Sequence, residues 1–205
     1  MKFKEHINEK VNKAYSIIGL IKRNFMYLSN ESFCMIYKAL VRSQLEYAAT
    51  VWCPYRKEDI VKIEKVQMRA TKLLHSIKKL PYKARLRVLK LPSMKYRRIR
   101  GDMIEIYKII NHKYDINTTL ALRLNSDYIT RGNKHKLQQY HCKYDLRKYF
   151  FTNRIIGIWN SLPSHVVDVP SIDAFKNSLD KFWCMQDIVY DFEEELSGTG
   201  NRSFE

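Results

Sequence analysis

The chain has 205 residues, enough for one or two compact domains. It holds 37 Lys and Arg against 21 Asp and Glu, a formal net charge of +16. Because residues 187–205 are acidic, residues 1–186 carry 36 bases against 15 acids. An apolar fraction of 45% excludes a disordered basic tail. The uncharged run at 14–21 near the N-terminus is too short to cross a bilayer, and residues 1–5 lack a signal-peptide pattern.

The N-terminal residues predict two helices in succession. From His6 to Phe25, apolar residues recur at steps of three and four, which predicts a helix with one buried face. Ser29 is a predicted N-cap of the next helix, with Leu28 and Phe33 as its hydrophobic staple. Pro54 cannot continue a helix, so this unit ends there.

Three more helices are predicted at about 58–75, 81–89 and 93–111. The first of them carries four bases at steps of three and four residues. At 100° per residue these side chains fall within about 80° of one another, on one side of the helix. They are Lys62, Lys65, Arg69 and Lys72.

Residues 115–144 lose this periodicity and predict a loop or a short hairpin. Periodicity returns at Asp145, a predicted N-cap, and the helix there ends at Pro163. Ser171 is the predicted cap of a last helix. We therefore expect a mainly α fold with a multi-helix unit over 1–114, a smaller α-rich unit over 115–190 and a frayed acidic tail over 191–205.

The most informative stretch is residues 65–101, which we call the acid-free segment because it has 13 bases and no acid. A solvated helical surface normally mixes both signs, since opposite charges at i,i+4 stabilise a helix and like charges do not. The usual compensation for one sign is phosphate, whose neutralisation releases condensed counterions. A solvated surface of a basic protein, a membrane surface and an acidic protein partner are the alternatives.

A second basic stretch, residues 131–154, interleaves bases with aromatic residues. Aromatic rings beside cations stack on unpaired bases while the cations hold the phosphate backbone. Phe150 and Phe151 are predicted to belong to the core instead. Arg131, Lys134, Tyr140 and Tyr144 are the candidates for binding.

Sequence patterns for catalysis and metal binding are poor. No Asp-Asp or Asp-x-Asp pair is present to hold two metal ions, and Glu58 and Asp59 are typical of a helix N-terminus. His135, His141 and Cys142 lack a fourth ligand for zinc. The glycines form no phosphate loop. Four widely spaced cysteines are typical of free thiols, with a disulfide pair as the alternative. We expect no catalytic residues, no metal and no cofactor.

Several strings occur together in a fixed order, and they cover nearly the whole chain from Phe3 to Trp183. The chain resembles the C-terminal region of the reverse transcriptase of non-LTR (LINE-type, jockey- or RTE-like) retrotransposons. The strings are FKEHI (3–7), GLIKRNF (19–25), YKALVRSQLEY (37–47), VWCPY (51–55), IEKVQMRATK (63–72), RRIRGDMIE (97–105), FFTNR (150–154), WNSLP (159–163) and FKNSLDKFW (175–183).

This resemblance implies a position within a polymerase. The segment follows the palm and forms the helical thumb, which grips the template–primer duplex, and a C-terminal extension. The catalytic aspartates of the family lie upstream of the matched part, so the resemblance implies a truncated or separately encoded piece without polymerase activity. Some related elements carry a zinc knuckle near the C-terminus, which this sequence lacks.

We expect a non-catalytic chain that binds RNA or an RNA–DNA template–primer through backbone phosphates, in the cytoplasm or nucleus, without a membrane partner. An upstream polymerase palm of the same element is a further expected partner. The alternatives are a functionless relict and a protein-interaction module that uses Trp52 and Tyr55. The predicted nucleic-acid-binding residues are Lys62, Lys65, Arg69, Lys72, Lys78, Lys79, Arg97, Arg98, Arg100, Arg131, Lys134, Tyr140 and Tyr144.

Overall fold

The computed structural model describes residues 3–115, 120, 122–124, 135–139 and 141–198. These residues are mainly helical, which confirms the predicted mainly α fold. The chain divides into two compact units. The first comprises Met1–Arg98 and Ile188–Glu194, and the second comprises Ile99–Asp187 and Glu195–Glu205.

The first unit is built on helices whose buried residues follow the predicted periodicity. Ile7, Ala14 and Ile18 of the first helix are buried, and Ser29 accepts a hydrogen bond from the Ser32 N–H at 3.1 Å, as expected of an N-cap. Phe33 of the predicted staple is also buried. The helices are α1 (Lys4–Asn24), α2 (Asn30–Ile36), a π-helical segment (Tyr37–Arg42), α3 (Ser43–Glu46), α4 (Ala49–Trp52), α5 (Lys57–Thr71) and α6 (Tyr82–Leu89).

The second predicted helix differs from expectation in its backbone. A π-helical segment interrupts it at Tyr37–Arg42, and Ala48 takes a left-handed conformation (φ 51°) that separates α3 from α4. The Tyr37 hydroxyl donates to Gln67 Oε1 at 2.6 Å, and Gln67 Nε2 donates to the Pro92 carbonyl at 3.0 Å. These hydrogen bonds connect the π-helical segment to α5 and to Pro92, which lies in the turn after α6.

The helix α7 (Met94–Ile110) begins in the first unit and continues into the second. Ser93 caps it, since the Ser93 hydroxyl accepts from the Tyr96 N–H at 3.1 Å. In the second unit, Trp159 and Phe175 are buried close to each other, with ring centroids 6.0 Å apart. The remaining helices are α8 (Asp145–Lys148), α9 (Phe151–Arg154), α10 (Ile156–Asn160), α11 (Ser164–Val167), α12 (Ile172–Trp183) and a 3₁₀ turn (Asp187–Val189).

The stretch from Asp145 to Pro163 is not one helix as predicted. Phe150 has an extended backbone (ψ 151°), and Asn153 Nδ2 donates to the Arg147 carbonyl at 2.6 Å. A side chain thus bonds the carbonyl of Arg147, a competition that favours a break over a continuous helix. In the stretch predicted as a loop or short hairpin, Leu124 and Leu137 form an isolated antiparallel bridge, which is the only pairing of this kind among the described residues.

The two compact units divide inside α7, between Arg98 and Ile99, and residues 188–194 belong to the first unit. The Ser93 N–H donates to the Val189 carbonyl at 2.7 Å, and Asp191 is buried and paired with Lys83. The start of the expected acidic tail is therefore fixed in the fold. Residues 199–205 lie outside the described residues.

None of the described helices combines the length and the apolar character that a membrane span requires. All four cysteines carry free thiols: Cys34, Cys53, Cys142 and Cys184.

Candidate nucleic-acid interface

The exposed side of α5 carries the predicted row of bases, which we call the α5 basic face: Lys62, Lys65, Arg69 and Lys72. The opposite side of the helix holds Ile63, Val66 and Ala70 in the core, and this burial fixes which side meets solvent. Lys65, Arg69 and Lys72 are exposed, and Lys72 keeps helical backbone angles just beyond the last turn. The four cations therefore follow one line along the helix.

Two members of the α5 basic face contact α1. Lys62 Nζ lies 3.4 Å from Asn8 Oδ1 and 3.5 Å from Asp59 Oδ1. The Arg69 guanidinium lies 5.3 Å from the centroid of the Tyr15 ring, in cation–π geometry. Since a step of seven residues on α5 matches a step of seven on α1, the two helices run parallel. Asn8 and Tyr15 therefore lie beside the α5 basic face. The sequence did not predict these contacts, because periodicity locates helices but does not show which helices pack together.

Two members of the row, Lys65 and Lys72, have no acidic partner among the described residues. Within the described part of the chain, neither Lys65 nor Lys72 takes part in an ion pair. The turns that follow α5 add two more exposed bases, Lys78 and Lys79. Ile77 is buried and holds these turns, since the Leu80 N–H donates to the Ile77 carbonyl at 3.0 Å.

The arginines of α7 have different surroundings from the bases of α5. Arg97 pairs with Glu46 in a bidentate manner, with Nε–Oε1 at 2.8 Å and Nη2–Oε2 at 2.9 Å. In the second unit, Arg100 pairs with Asp180 in the same way, at 2.5 and 2.7 Å. Such paired guanidiniums already have a carboxylate in the place that a phosphate would take.

Arg98, another predicted phosphate contact, lies in the interior of the first unit with only 5% of its surface exposed. It interacts electrostatically with Glu64, which is also buried. Glu64 accepts a hydrogen bond from the Tyr82 hydroxyl at 2.6 Å and from the Met94 N–H at 3.0 Å. Arg98 is therefore part of the polar interior that supports the start of α7, out of reach of a phosphate in this conformation.

Other bases of the acid-free segment also have internal partners. Lys83 pairs with Asp191, and Lys95 Nζ donates to the Glu194 carbonyl at 2.7 Å. Arg85 is buried and donates to the Met68 carbonyl at 3.1 Å. The acids missing from residues 65–101 are thus supplied in part by distant residues. Among the described residues, the exposed bases of this segment that take part in no ion pair are Lys65, Arg69, Lys72, Lys78 and Lys79, on α5 and the turns after it, and Arg87 and Lys90, on and just after α6.

The second basic stretch is described only in part. Tyr144 is exposed and immediately precedes α8. Phe151 is buried, as expected of a core residue, whereas Phe150 is half-exposed. Three predicted binding residues lie outside the described residues: Arg131, Lys134 and Tyr140.

Residues considered for other chemistry have structural neighbours. Among the described residues, no three His, Cys, Asp or Glu side chains lie close enough to hold a metal ion. His135 Nε2 lies 3.6 Å from Asp168 Oδ1, and Cys142 Sγ accepts from Asn153 Nδ2 at 3.1 Å. Trp52, expected to be exposed in an interaction module, is buried, and its indole N–H donates to the Tyr47 carbonyl at 2.7 Å. Tyr55 is partly exposed.

Comparison with protein-family models, curated proteins and solved structures finds no match to this chain.

Proposed function

We propose that this protein binds RNA or an RNA–DNA duplex through its backbone phosphates, using the α5 basic face and the following turns. The observation that carries the proposal is the row of Lys65, Arg69 and Lys72, exposed on one side of a helix whose other side is buried. The Cβ atoms of successive members lie about 5–6 Å apart, since these residues are three or four positions apart on a helix. A row of cations at this spacing suits the regular array of charges along a nucleic-acid strand.

The composition of this face favours phosphate over a membrane surface. A helix that lies on a membrane inserts a face of large apolar side chains between the lipids. The apolar side of α5 is packed in the core, and none of the large hydrophobic residues of α5 is among the exposed ones. Binding by cations alone is expected to tolerate any sequence, because phosphate contacts position a duplex and base contacts specify it.

The proposed activity is binding without catalysis, and the resemblance to the region downstream of a polymerase palm supports it. We expect no DNA synthesis by the isolated chain on a primed RNA template. An upstream palm of the same element would supply the metal-binding aspartates, and this partner belongs to the proposal as well.

Charge reversal on the α5 basic face tests the proposal. The variant Lys65→Glu/Arg69→Glu/Lys72→Glu should weaken binding of a fluorescent RNA–DNA duplex at least tenfold at 50 mM salt, with the same loss for unrelated sequences. The matched control, Lys13→Glu/Lys113→Glu/Lys181→Glu, changes the net charge equally at exposed positions elsewhere and should retain most of the affinity. Equal losses in both variants, or no binding by the native chain, would refute a specific role for this face.

A further inference from the structure

A cavity of about 300 Å³ lies within the second unit, and none of its lining residues belongs to the α5 basic face. Its aliphatic lining residues are Leu122, which is partly exposed, and Leu137 and Ile156, which are each only 3% exposed and so contribute little open surface. Another part of the lining is polar and includes Arg123 and Arg147. The volume lies at the lower end of the range typical of small-molecule sites, about 300–1,000 Å³. The cavity therefore has the size and the mixed lining of a ligand site.

Hydrogen bonds hold the wall of this cavity in place. The Asn160 side chain binds both main-chain groups of Leu137: its Oδ1 accepts from the Leu137 N–H at 2.8 Å and its Nδ2 donates to the Leu137 carbonyl at 2.9 Å. The Gln138 N–H donates to the Arg123 carbonyl at 2.9 Å, which ties the two lining segments together. A wall fixed in this way is preformed, so that a ligand pays little to order it.

The polar groups of the cavity suit an anion attached to a flat, partly apolar group. Among the described residues that line it, two are arginines and none is Asp or Glu. Asn153 also lines the cavity, and its Nδ2 already donates to Arg147 and Cys142, which leaves Oδ1 as its acceptor. Guanidinium groups bind phosphate oxygens in a bidentate manner, and aliphatic side chains pack on the face of a heterocycle.

We propose that this cavity binds one nucleotide unit, with its phosphate at Arg123 and Arg147 and its base against Leu122, Leu137 and Ile156. The same chemistry is offered by a free nucleoside monophosphate and by an unpaired nucleotide of a strand. The site is independent of duplex binding by α5, because it shares no residue with that face.

Calorimetric titration of the full chain with AMP, GMP, CMP and UMP tests the proposal. At least one nucleotide should bind saturably at a single site, and Arg147→Glu should weaken that binding at least tenfold. Lys148→Glu is the matched control, because it makes the same charge change at the next residue of α8, which does not line the cavity. It should change the affinity less than threefold.

Absence of saturable binding, or equal losses in R147E and K148E, would overturn the proposal. So would equal affinity for inorganic phosphate, which would indicate an anion site without a base. An oligonucleotide with a single-stranded end identifies the source of the ligand: tighter, R147E-sensitive binding than the monophosphate assigns the site to a strand, and weaker binding assigns it to a free nucleotide. The K65E/R69E/K72E variant should keep nucleotide binding, which separates failure of this site from failure of the α5 proposal.

Discussion

Arg97 and Lys65 are both bases of the acid-free segment, and their surroundings give them different roles. The side chain of Arg97 is three-quarters buried, and its guanidinium is bound by both oxygens of Glu46. Lys65 is exposed on the α5 basic face. From charge and helical spacing alone, both residues are predicted to bind nucleic acid. The difference arises from Glu46, a residue far away in sequence that periodicity cannot place.

We predict that Arg97→Ala lowers the free energy of unfolding by about 1 kcal/mol and changes duplex affinity less than twofold. A bidentate, partly buried pair contributes to stability, although much of its Coulomb energy is offset by desolvation. Urea denaturation and fluorescence anisotropy measure the two quantities. Lys65→Ala is the matched control and should show the opposite pattern, weaker binding with stability unchanged within about 0.5 kcal/mol. If R97A loses as much duplex affinity as K65A, Arg97 also contacts the duplex and the prediction is wrong.

Glu64 is the other residue whose role depends on burial. Burial raises the pKa of Glu64, while the hydrogen bond from Tyr82 and the charge of Arg98 partly offset this rise. The carboxylate accepts the Met94 N–H at the start of α7, so the fold uses a group whose charged form is costly to bury.

The raised pKa predicts how stability depends on pH. A folded-state pKa above the unfolded value, about 4.3, means that the native state binds the proton more tightly. The stability that this group contributes is therefore complete below pH 4 and is lost as the pH rises through its folded pKa. Measured by urea denaturation, the stability of the native chain relative to Glu64→Gln should fall over this window. Tyr82→Phe removes a hydrogen bond that lowers the pKa, so the window should move to higher pH. If the stability of the native chain relative to E64Q instead increases with pH, the raised pKa of Glu64 is contradicted.

At the scale of elements, apolar periodicity locates helices well and breaks poorly. The stripe of α1 and the caps at Ser29 and Ser171 agree with prediction because they depend on residues within one or two turns. The left-handed Ala48 and the break at Phe150 were missed, since neither position carries Gly or Pro. These breaks depend on tertiary contacts that local patterns do not contain.

The WNSLP string at 159–163 has a structural role that the sequence did not reveal. The Trp159 indole N–H donates to the His135 carbonyl at 2.8 Å, and Asn160 binds both main-chain groups of Leu137. The Ser161 hydroxyl donates to the Ile158 carbonyl at 2.7 Å. Trp159 and Asn160, which are adjacent on α10, thus hold His135 and Leu137 in place.

We predict that Asn160→Ala lowers the free energy of unfolding by about 2 kcal/mol, because two hydrogen bonds are lost and the main-chain groups of Leu137 are left without these partners. Asn160→Asp is a second test: it keeps an acceptor for the Leu137 N–H but places a carboxylate oxygen against the Leu137 carbonyl, so it should also lower the free energy of unfolding at neutral pH. Urea denaturation gives both values. Equal stability of the native chain and N160A would show that the two hydrogen bonds between Asn160 and Leu137 do not stabilise the fold.

At the scale of the whole chain, the distribution of acids decides which bases remain available. Residues 188–194 return to the first unit and bring Asp191 to Lys83. The sequence spreads the bases of the acid-free segment over three helices. Among the described residues, five of the seven exposed bases of this segment that take part in no ion pair lie on α5 and the turns after it, and the other two are Arg87 and Lys90. Ion pairs between residues so far apart in sequence cannot be predicted from the local spacing of charges.

The salt dependence of duplex binding tests the central proposal most directly. If Lys65, Arg69, Lys72, Lys78 and Lys79 each neutralise one phosphate, the logarithm of the binding constant should fall against the logarithm of salt concentration with a slope of about −4 to −5. Fluorescence anisotropy with an RNA–DNA duplex between 50 and 200 mM salt gives this slope, and K65E/R69E/K72E should reduce its magnitude by about 3. A slope near zero, or a slope unchanged by the triple substitution, would contradict phosphate binding by α5.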